Sequence, residues 1–173
     1  MIKWTVLSIT FLLLSCQTKI ESNSKQYFDF YNIEYYYNDF DRKKLLELSK
    51  NESNSELDSI KFGVIVGEVP NELTDTSFVE KLERIGYTKK PIKKSKFEEI
   101  SNLFSEKVVT ESNAYACTPI YRDVFVFKRK NKIIGTAKVC FDCRIHKITG
   151  TSLNTVDFGQ NGDYERLFKL IRD

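Results

Sequence analysis

Hydrophobic and polar positions divide the chain into three parts with different patterns. A predominantly apolar run of eleven residues, Trp4–Leu14, comes first. From Gln17 to about Gln26 the chain is polar and shows no period, which predicts a flexible tether. Residues 27–173 contain apolar segments of the lengths and spacings that helices and strands have, and they predict a single globular domain.

Eight aromatic residues crowd the stretch from Tyr27 to Phe40. So high an aromatic density favours extended structure, so a strand or two is expected there. A stacking platform for bases, sugars or a membrane interface is one interpretation, because tyrosine combines a flat apolar face with a polar tip. A β-layer with tyrosines half-buried at its rim is the more common arrangement and is the one we expect.

The middle of the domain contains one segment with an ambiguous period. Before this segment, Asp41 is placed to cap the start of a short helix that runs through Leu48. Apolar residues then alternate over 60–66, which favours a strand, although the spacing of Leu57, Ile60 and Val64 also fits a helix. A strand is the expectation adopted here.

Two later segments predict helices through their N-terminal signals. Ser77 and Glu80 have the spacing of a capping box, and Gly86 is a natural stop, so a helix is expected over 77–85. Ser95 and Glu98 repeat the spacing, and an apolar face follows. Five lysines surround Pro91 between these helices and are expected to form a solvated connector; contact with anionic headgroups is the alternative.

The C-terminal third predicts a β-meander followed by a helix. Strands are expected over 124–128, 133–141 and 153–158, with Asn131 able to take a left-handed conformation in the first turn. Asn161-Gly162-Asp163 then leads into a helix with Tyr164, Leu167, Phe168 and Ile171 on one face. The predicted fold class is therefore α+β: an antiparallel β-meander with helices packed on one side.

The N-terminal run has the features of an export signal. Lys3 precedes it, and eleven residues are too few to span ~30 Å of hydrocarbon. Leu13-Leu14-Ser15-Cys16 resembles the lipobox of bacterial lipoproteins. The resemblance implies that residues 1–15 are a removed signal peptide, that Cys16 carries fatty acyl chains, and that residues 16–26 tether the domain to a membrane. Two or more acyl chains give stable attachment.

The net charge of the mature chain adds little to the prediction of function. Removal of Lys3 with the leader leaves 26 basic against 24 acidic residues in a mature chain of 158 residues. A net charge so near zero gives no field that would favour nucleic acid. The expected location is the bacterial cell envelope, facing the periplasm, with the choice between inner and outer membrane left open.

The three cysteines of the domain, Cys117, Cys140 and Cys143, are expected to form one disulfide and leave one thiol. Cysteines three apart on a strand point to opposite faces about 10 Å apart. Phe141-Asp142 is also poor chemistry for a two-residue hairpin loop. We therefore expect Cys117 to bond either Cys140 or Cys143.

Two other uses of these residues stay open at this point. Cys117, Cys140, Cys143 and His146 have acceptable ligand types for a Cys₃His zinc site, and His146 is the single histidine of the chain. Cys140-x-x-Cys143 also has the spacing of a thiol-redox motif, although such motifs start helices, whereas this one lies in a β-region. Neither is preferred, so no metal and no cofactor are expected.

Several short motifs resemble a group of small uncharacterised lipoproteins of Bacteroidota. They are Cys117-Thr118-Pro119-Ile120-Tyr121-Arg122-Asp123, Val139-Cys140-Phe141-Asp142-Cys143, and Asp157-Phe158-Gly159 with Gly162-Asp163-Tyr164. The resemblance implies an envelope lipoprotein but no activity. Arg122-Asp123 is expected to make an ion pair or turn contact; a ligand-binding pair is the alternative.

The sequence contains no nucleophile elbow, no H-E-x-x-H pair and no phosphate loop. We therefore expect a non-enzymatic lipoprotein that binds another envelope component, such as a protein partner, or has a structural role. A thiol-redox or zinc-binding protein is the alternative. The sequence leaves the oligomeric state open.

Overall fold

A computed structural model describes residues 24–50, 55–70, 72, 75–107 and 117–172, and its five strands form one antiparallel sheet. The strands are β1 (Asn32–Tyr37), β2 (Thr88–Lys90), β3 (Asp123–Arg129), β4 (Lys132–Cys140) and β5 (Ile145–Thr149). The helices are α1 (Arg42–Lys50), α2 (Glu56–Val66), α3 (Ser77–Lys81), α4 (Phe97–Leu103) and α5 (Asp163–Arg172), with a 3-10 turn at Lys94–Lys96 before α4. The strand order is β2-β1-β3-β4-β5.

The α+β class and the hairpin of β3 and β4 are confirmed, but the third strand of the meander is β5, at Ile145–Thr149, and not the segment expected over 153–158. The turn between β3 and β4 is made by Lys130 and Asn131, whose φ angles are 48° and 61°. Asn131 thus takes the left-handed conformation expected of it, which suits the right-handed twist of a two-residue hairpin. β3 pairs with β1 on its other side, so β3 lies at the centre of the sheet.

Helices cover both faces of the sheet, which corrects the expectation that they pack on one side. Phe125 and Phe127 of β3 pack with α4 and α5 in one core. Val124 and Val126 pack with α1, α2 and α3 in a second core. Since successive strand residues point to opposite faces, these two cores lie on opposite sides of the sheet. The architecture is a helix-sheet-helix arrangement of three layers.

The segment expected as a strand over 60–66 is part of helix α2. Ser55 caps the helix: its side chain accepts a hydrogen bond from the backbone N–H of Asp58, whose carboxylate accepts one from the backbone N–H of Ser55. Gly67 ends the helix with a left-handed φ of 100°. These caps fix both ends, and tertiary burial of Val64 and Ile65 outweighs the β-branched alternation.

The helices expected at Ser77 and Ser95 form, but without capping boxes. α3 ends at Lys81 and continues as turns to Gly86, so the predicted span over 77–85 is too long. Ser95 lies inside the 3-10 turn, and neither α3 nor α4 has a side-chain cap hydrogen bond. Apolar burial is the stronger determinant here, because Phe78, Ile100 and Leu103 are buried.

Two other expectations about the chain between elements need correction. The lysine-rich segment is mostly exposed to solvent, as expected, but it is more than a connector, because Thr88–Lys90 pairs with β1 as an edge strand and the ammonium of Lys96 donates to the carbonyl of Leu170. The strand expected over 153–158 is absent; those residues form turns in which Asn154 accepts a hydrogen bond from the backbone N–H of Val156.

The aromatic stretch forms β1 and its approach, as expected of a β-layer. Tyr27, Tyr35 and Tyr36 are buried, whereas Tyr31 is exposed. The last residues of the predicted tether also belong to the domain: Gln26 forms a bridge with Ser105, and the backbone N–H of Glu106 donates to the carbonyl of Lys25. The leader, with Cys16, lies outside the described residues.

Candidate functional site

The disulfide joins Cys117 to Cys143, with 5.7 Å between their Cα atoms. This is one of the two pairings expected for Cys117. Cys117 lies in the segment that enters β3, and Cys143 lies in the loop that follows β4. The bond therefore ties the start of the central strand to the far end of its neighbour. Cys140 keeps a free, buried thiol.

The loop 141–144 explains why the cysteine positions were difficult to infer. Cys140 faces Ile145 as the last pair of β4 and β5, so four residues connect the strands. The backbone N–H of Arg144 donates to the carbonyl of Phe141 over 3.4 Å, and Arg144 has a left-handed φ of 51°. Cys140 and Cys143 thus flank a turn, and with Tyr121 they form a small buried cluster.

The structure does not assemble the alternative zinc site. Cys140 points to the sheet face of Lys138, whereas His146 pairs with Val139 and points to the other face. The two ring nitrogens of His146 make hydrogen bonds with the Tyr164 hydroxyl, at 2.8 Å, and the Thr155 carbonyl, at 2.7 Å. Among the described residues, which include all four candidates, no cluster of metal-ligand side chains is found.

A cleft of about 340 Å³ opens where the two cysteine-containing motifs meet. Its charged residues are Arg122, Asp123, Asp142 and Arg172. Its walls are completed by apolar and aromatic side chains: Tyr37, Ile120, Phe141 and Phe168. The disulfide brings the segment before β3 against the 141–144 loop, and α5 closes the cleft from the sheet face that it covers. The cleft is the candidate functional site.

Asp123 is the buried charged group of the cleft, with 3% of its surface exposed. Its Oδ1 accepts a hydrogen bond of 2.6 Å from the Tyr35 hydroxyl and one of 2.9 Å from Nη2 of Arg172. Burial raises the pKa of Asp123 to about 6, although the Tyr35 hydrogen bond and the charges of Arg172 and Arg122 act in the opposite direction. The carboxyl group thus titrates in a range where its charge can change at mild pH.

Arg122 is held at two points. Its Nε donates to the Phe40 carbonyl over 2.7 Å, and its Nη1 pairs with the carboxylate of Asp142. The side chain of Asp142 is 72% exposed. Arg122 therefore pairs with the loop residue across the cleft and Asp123 pairs with Arg172, so both residues make ion pairs at the strand start, but not with each other.

Arg172 comes from the last turn of α5 and stacks on aromatic rings. Its guanidinium carbon lies 4.1 Å from the centroid of the Tyr37 ring and 5.4 Å from that of Phe168. Such stacking fixes the plane of a guanidinium. Sequence reasoning missed Arg172, Tyr37 and the cleft-lining role of Phe168. The available signal was weak: a large aromatic residue, Phe168, next to the buried position Leu167 on the same helix.

A second cavity, of about 160 Å³, lies on the other side of Arg122 and Asp142. It is lined by the three cysteines of the domain, by Thr118 and Ile120, and by Arg42. The thiol of Cys140 therefore shares a cavity with the Cys117–Cys143 bond. This places a possible nucleophile beside a disulfide, the minimum requirement for thiol–disulfide exchange.

Comparisons with protein-family models, with curated proteins and with solved structures found no match for this chain. Within the described part of the chain, none of the helices has the length and apolar character needed to cross a membrane. The assignment of the candidate site therefore depends on the geometry of this chain alone.

Proposed function

We propose that this protein is a lipid-anchored lipoprotein of the bacterial cell envelope whose α+β domain acts as a non-enzymatic binding module. The lipobox-like Leu13-Leu14-Ser15-Cys16 supports the anchor. The Cys117–Cys143 disulfide supports an exported domain, since disulfides persist in oxidising compartments. On this proposal the domain stands close to the bilayer and faces the periplasm.

The observation that carries the binding role is the cleft between α5 and the 141–144 loop. Its volume of about 340 Å³ is within the range of small-molecule sites, roughly 300 to 1,000 Å³. It combines apolar walls with a few fixed polar groups, as ligand sites do. A small molecule or the side chain of an envelope protein partner fits this description.

Metabolic labelling with a fatty acid, followed by membrane fractionation, tests the anchor. The wild type should be labelled and sediment with membranes, whereas Cys16→Ala should lose the label, because the acceptor sulfur is gone. Cys140→Ala is the matched control: it removes a cysteine but leaves the lipobox intact, and it should label like the wild type. An unlabelled wild type recovered in the soluble fraction would overturn the proposal.

A thiol-redox protein is the second candidate, favoured by one observation: Cys140 and Cys143 share a buried cluster beside the disulfide. In the exchange, the Cys140 thiolate attacks Sγ of Cys143, a Cys140–Cys143 bond forms, and the Cys143–Cys117 bond breaks. Cys140 loses its proton and Cys117 gains one, so no external oxidant is needed. Cys117, which is exposed, then carries the thiol.

Alkylation of the non-reduced protein, followed by peptide mass spectrometry, separates the two candidates. A structural disulfide predicts that only Cys140 is labelled, and only after unfolding, because its thiol is buried. A redox role predicts that Cys117 is alkylated in the native protein and that a Cys140–Cys143 bond is present. Cys140→Ser is the control, since it removes the attacking thiol and should abolish labelling of Cys117.

A further inference from the structure

We propose that the cleft binds a small organic monocarboxylate with an apolar body, and that Arg122 and Arg172 together hold the carboxylate. This inference deepens the proposed binding function and rests on it. The arrangement has three parts: two positioned guanidinium groups, an exposed carboxylate that occupies one of them, and an apolar wall.

Arg172 offers unused donors in a fixed plane. Its Nη2 donates a hydrogen bond to Asp123, and the guanidinium stacks on the ring of Tyr37. Its Nε and Nη1 make no hydrogen bond to the residues that the structure describes. Tyr35 holds Asp123 from the other side, so Asp123 stays buried behind the guanidinium. A planar guanidinium recognises a carboxylate through parallel N–H···O bonds, and stacking reduces the entropy lost when they form.

Arg122 presents its outer edge to the same space. The Nε bond to the Phe40 carbonyl orients the group, and Asp142 occupies Nη1. Because the side chain of Asp142 is 72% exposed, its ion pair is screened by solvent and contributes little stability. A ligand carboxylate can therefore replace Asp142 on Arg122 at low cost, and Asp142 shows the position that such a carboxylate would take.

The wall beside these groups is apolar. Phe141 and Phe168 meet edge to face, with 5.2 Å between their ring centroids. Phe168 is 44% exposed, although it follows the fully buried Leu167 on α5. Ile120 completes this side of the cleft. An aromatic or aliphatic ligand body would cover the exposed ring, which favours an amphipathic acid over a small inorganic anion.

The charges around the cleft predict how the affinity for a bound anion changes with pH. The titratable and charged groups that interact with Asp123 are Tyr35 of β1, Arg172 of α5, its neighbour Arg122, Asp142 of the loop, and Tyr87 just before β2. The two arginines and two aspartates are balanced when both carboxyls are ionised. Protonation of Asp123 removes one negative charge behind Arg172, so a bound anion should be held more tightly as pH falls from 7 to 5.

The test uses the full-length protein in detergent and two probes, phenylacetate and the neutral phenylacetamide, measured by saturation-transfer NMR. Phenylacetate should bind at least tenfold more tightly than the amide. Arg122→Gln and Arg172→Gln should each weaken phenylacetate binding at least tenfold. Asp142→Asn should strengthen it, because the competing carboxylate is removed. Arg129→Gln, which breaks an ion pair with Asp29 outside the cleft, is the matched control and should change nothing.

The gain expected from Asp142→Asn keeps the test independent of folding, since a misfolded variant would lose binding. Equal binding of acid and amide, with a loss in Phe168→Ala, would overturn the carboxylate inference while leaving the cleft as a binding site. Absence of binding by either probe, or weaker binding in Asp142→Asn, would overturn the inference as well. Neither result affects fatty-acid labelling at Cys16, which tests the anchored-lipoprotein proposal separately.

Discussion

Lys138 is a buried lysine of β4, and its ammonium group donates hydrogen bonds to backbone carbonyls. It has no exposed surface, and its Nζ donates to the carbonyls of Val64, at 3.2 Å, and Val69. The Nζ also lies 5.3 Å from the centroid of the Tyr121 ring. Burial, together with the charge of Lys147, lowers the pKa of Lys138 to about 7.

The low pKa predicts a pH-dependent stability. A lysine whose pKa is lower in the folded than in the unfolded state costs stability once the pH falls below its ordinary pKa, and the cost is complete below the folded value of about 7. The wild type should therefore gain stability relative to Lys138→Met as pH rises from 7 to 10. Urea unfolding in a Cys140→Ser background, which prevents thiol exchange, measures this; a pH-independent difference would contradict it.

The raised pKa of Asp123 predicts the opposite change, a loss of stability as pH rises. Its folded pKa of about 6 lies above the ordinary value, so its protonated form stabilises the fold, and that contribution is lost as pH rises from about 4 through 6. Relative to Asp123→Asn, the wild type should lose about 2 kcal/mol of unfolding free energy between pH 4 and pH 7, because one pKa unit corresponds to about 1.36 kcal/mol and part of the contribution is already lost at pH 4. Urea unfolding at a series of pH values checks it, and a wild type that gains stability over this range would show the sign to be wrong.

Helix α2 allows the contribution of one capping box to the unfolding free energy to be measured. Ser55 bonds both the backbone N–H and the carboxylate of Asp58, whereas Ser95 makes no side-chain cap. Ser55→Ala should therefore cost about 1 kcal/mol of unfolding free energy. Ser95→Ala is the matched control and should be close to neutral. Equal losses in the two variants, measured by chemical unfolding, would show that the capping box does not stabilise α2.

The disulfide joins the entry to β3 to the loop after β4, where Arg122 also pairs with Asp142. Its two cysteines are 26 positions apart in the sequence. Cys117→Ser, made in a Cys140→Ser background so that Cys143 has no other partner, should cost about 2 to 5 kcal/mol of unfolding free energy. The Cys140→Ser protein is the reference. A loss below about 0.5 kcal/mol would mean that packing alone fixes this corner of the fold.

Which elements could be predicted depended on whether local signals and packing agreed. The hairpin at Asn131 and the helix at Tyr164 were predictable, because turn chemistry and period coincide there. The segment 60–66 was not, since its β-branched residues suggested a strand while Ser55 and Gly67 cap a helix. The segment 153–158 also failed, because its alternation reflects Phe158 inserted into a core and not a paired strand.

The placement of helices on both faces is a property of the whole molecule. Val124, Phe125, Val126 and Phe127 are all fully buried, so β3 needs cover on two sides. A continuous apolar run is typical of such a strand, but it does not tell which helix covers which face. That choice follows from long-range packing, with α1 to α3 on one face and α4 and α5 on the other.

The candidate site was predictable only in part for the same reason. The sequence placed Arg122, Asp123 and the three cysteines in short motifs, and these motifs do meet at the cleft. Arg172 contacts Asp123 from 49 residues further along the chain. No local pattern reports a contact of that kind, because it depends on how α5 docks against the sheet.

The intact mass of the native protein, extracted from membranes in detergent and alkylated after unfolding without reduction, tests the central claim most directly. The lipoprotein account predicts a chain that begins at Cys16 and carries fatty acyl chains, with one disulfide and one alkylated thiol, at Cys140. The same spectrum of Cys16→Ala should show no acyl mass. A wild-type chain that retains residues 1–15, lacks acyl groups or carries three alkylated domain thiols would contradict the account.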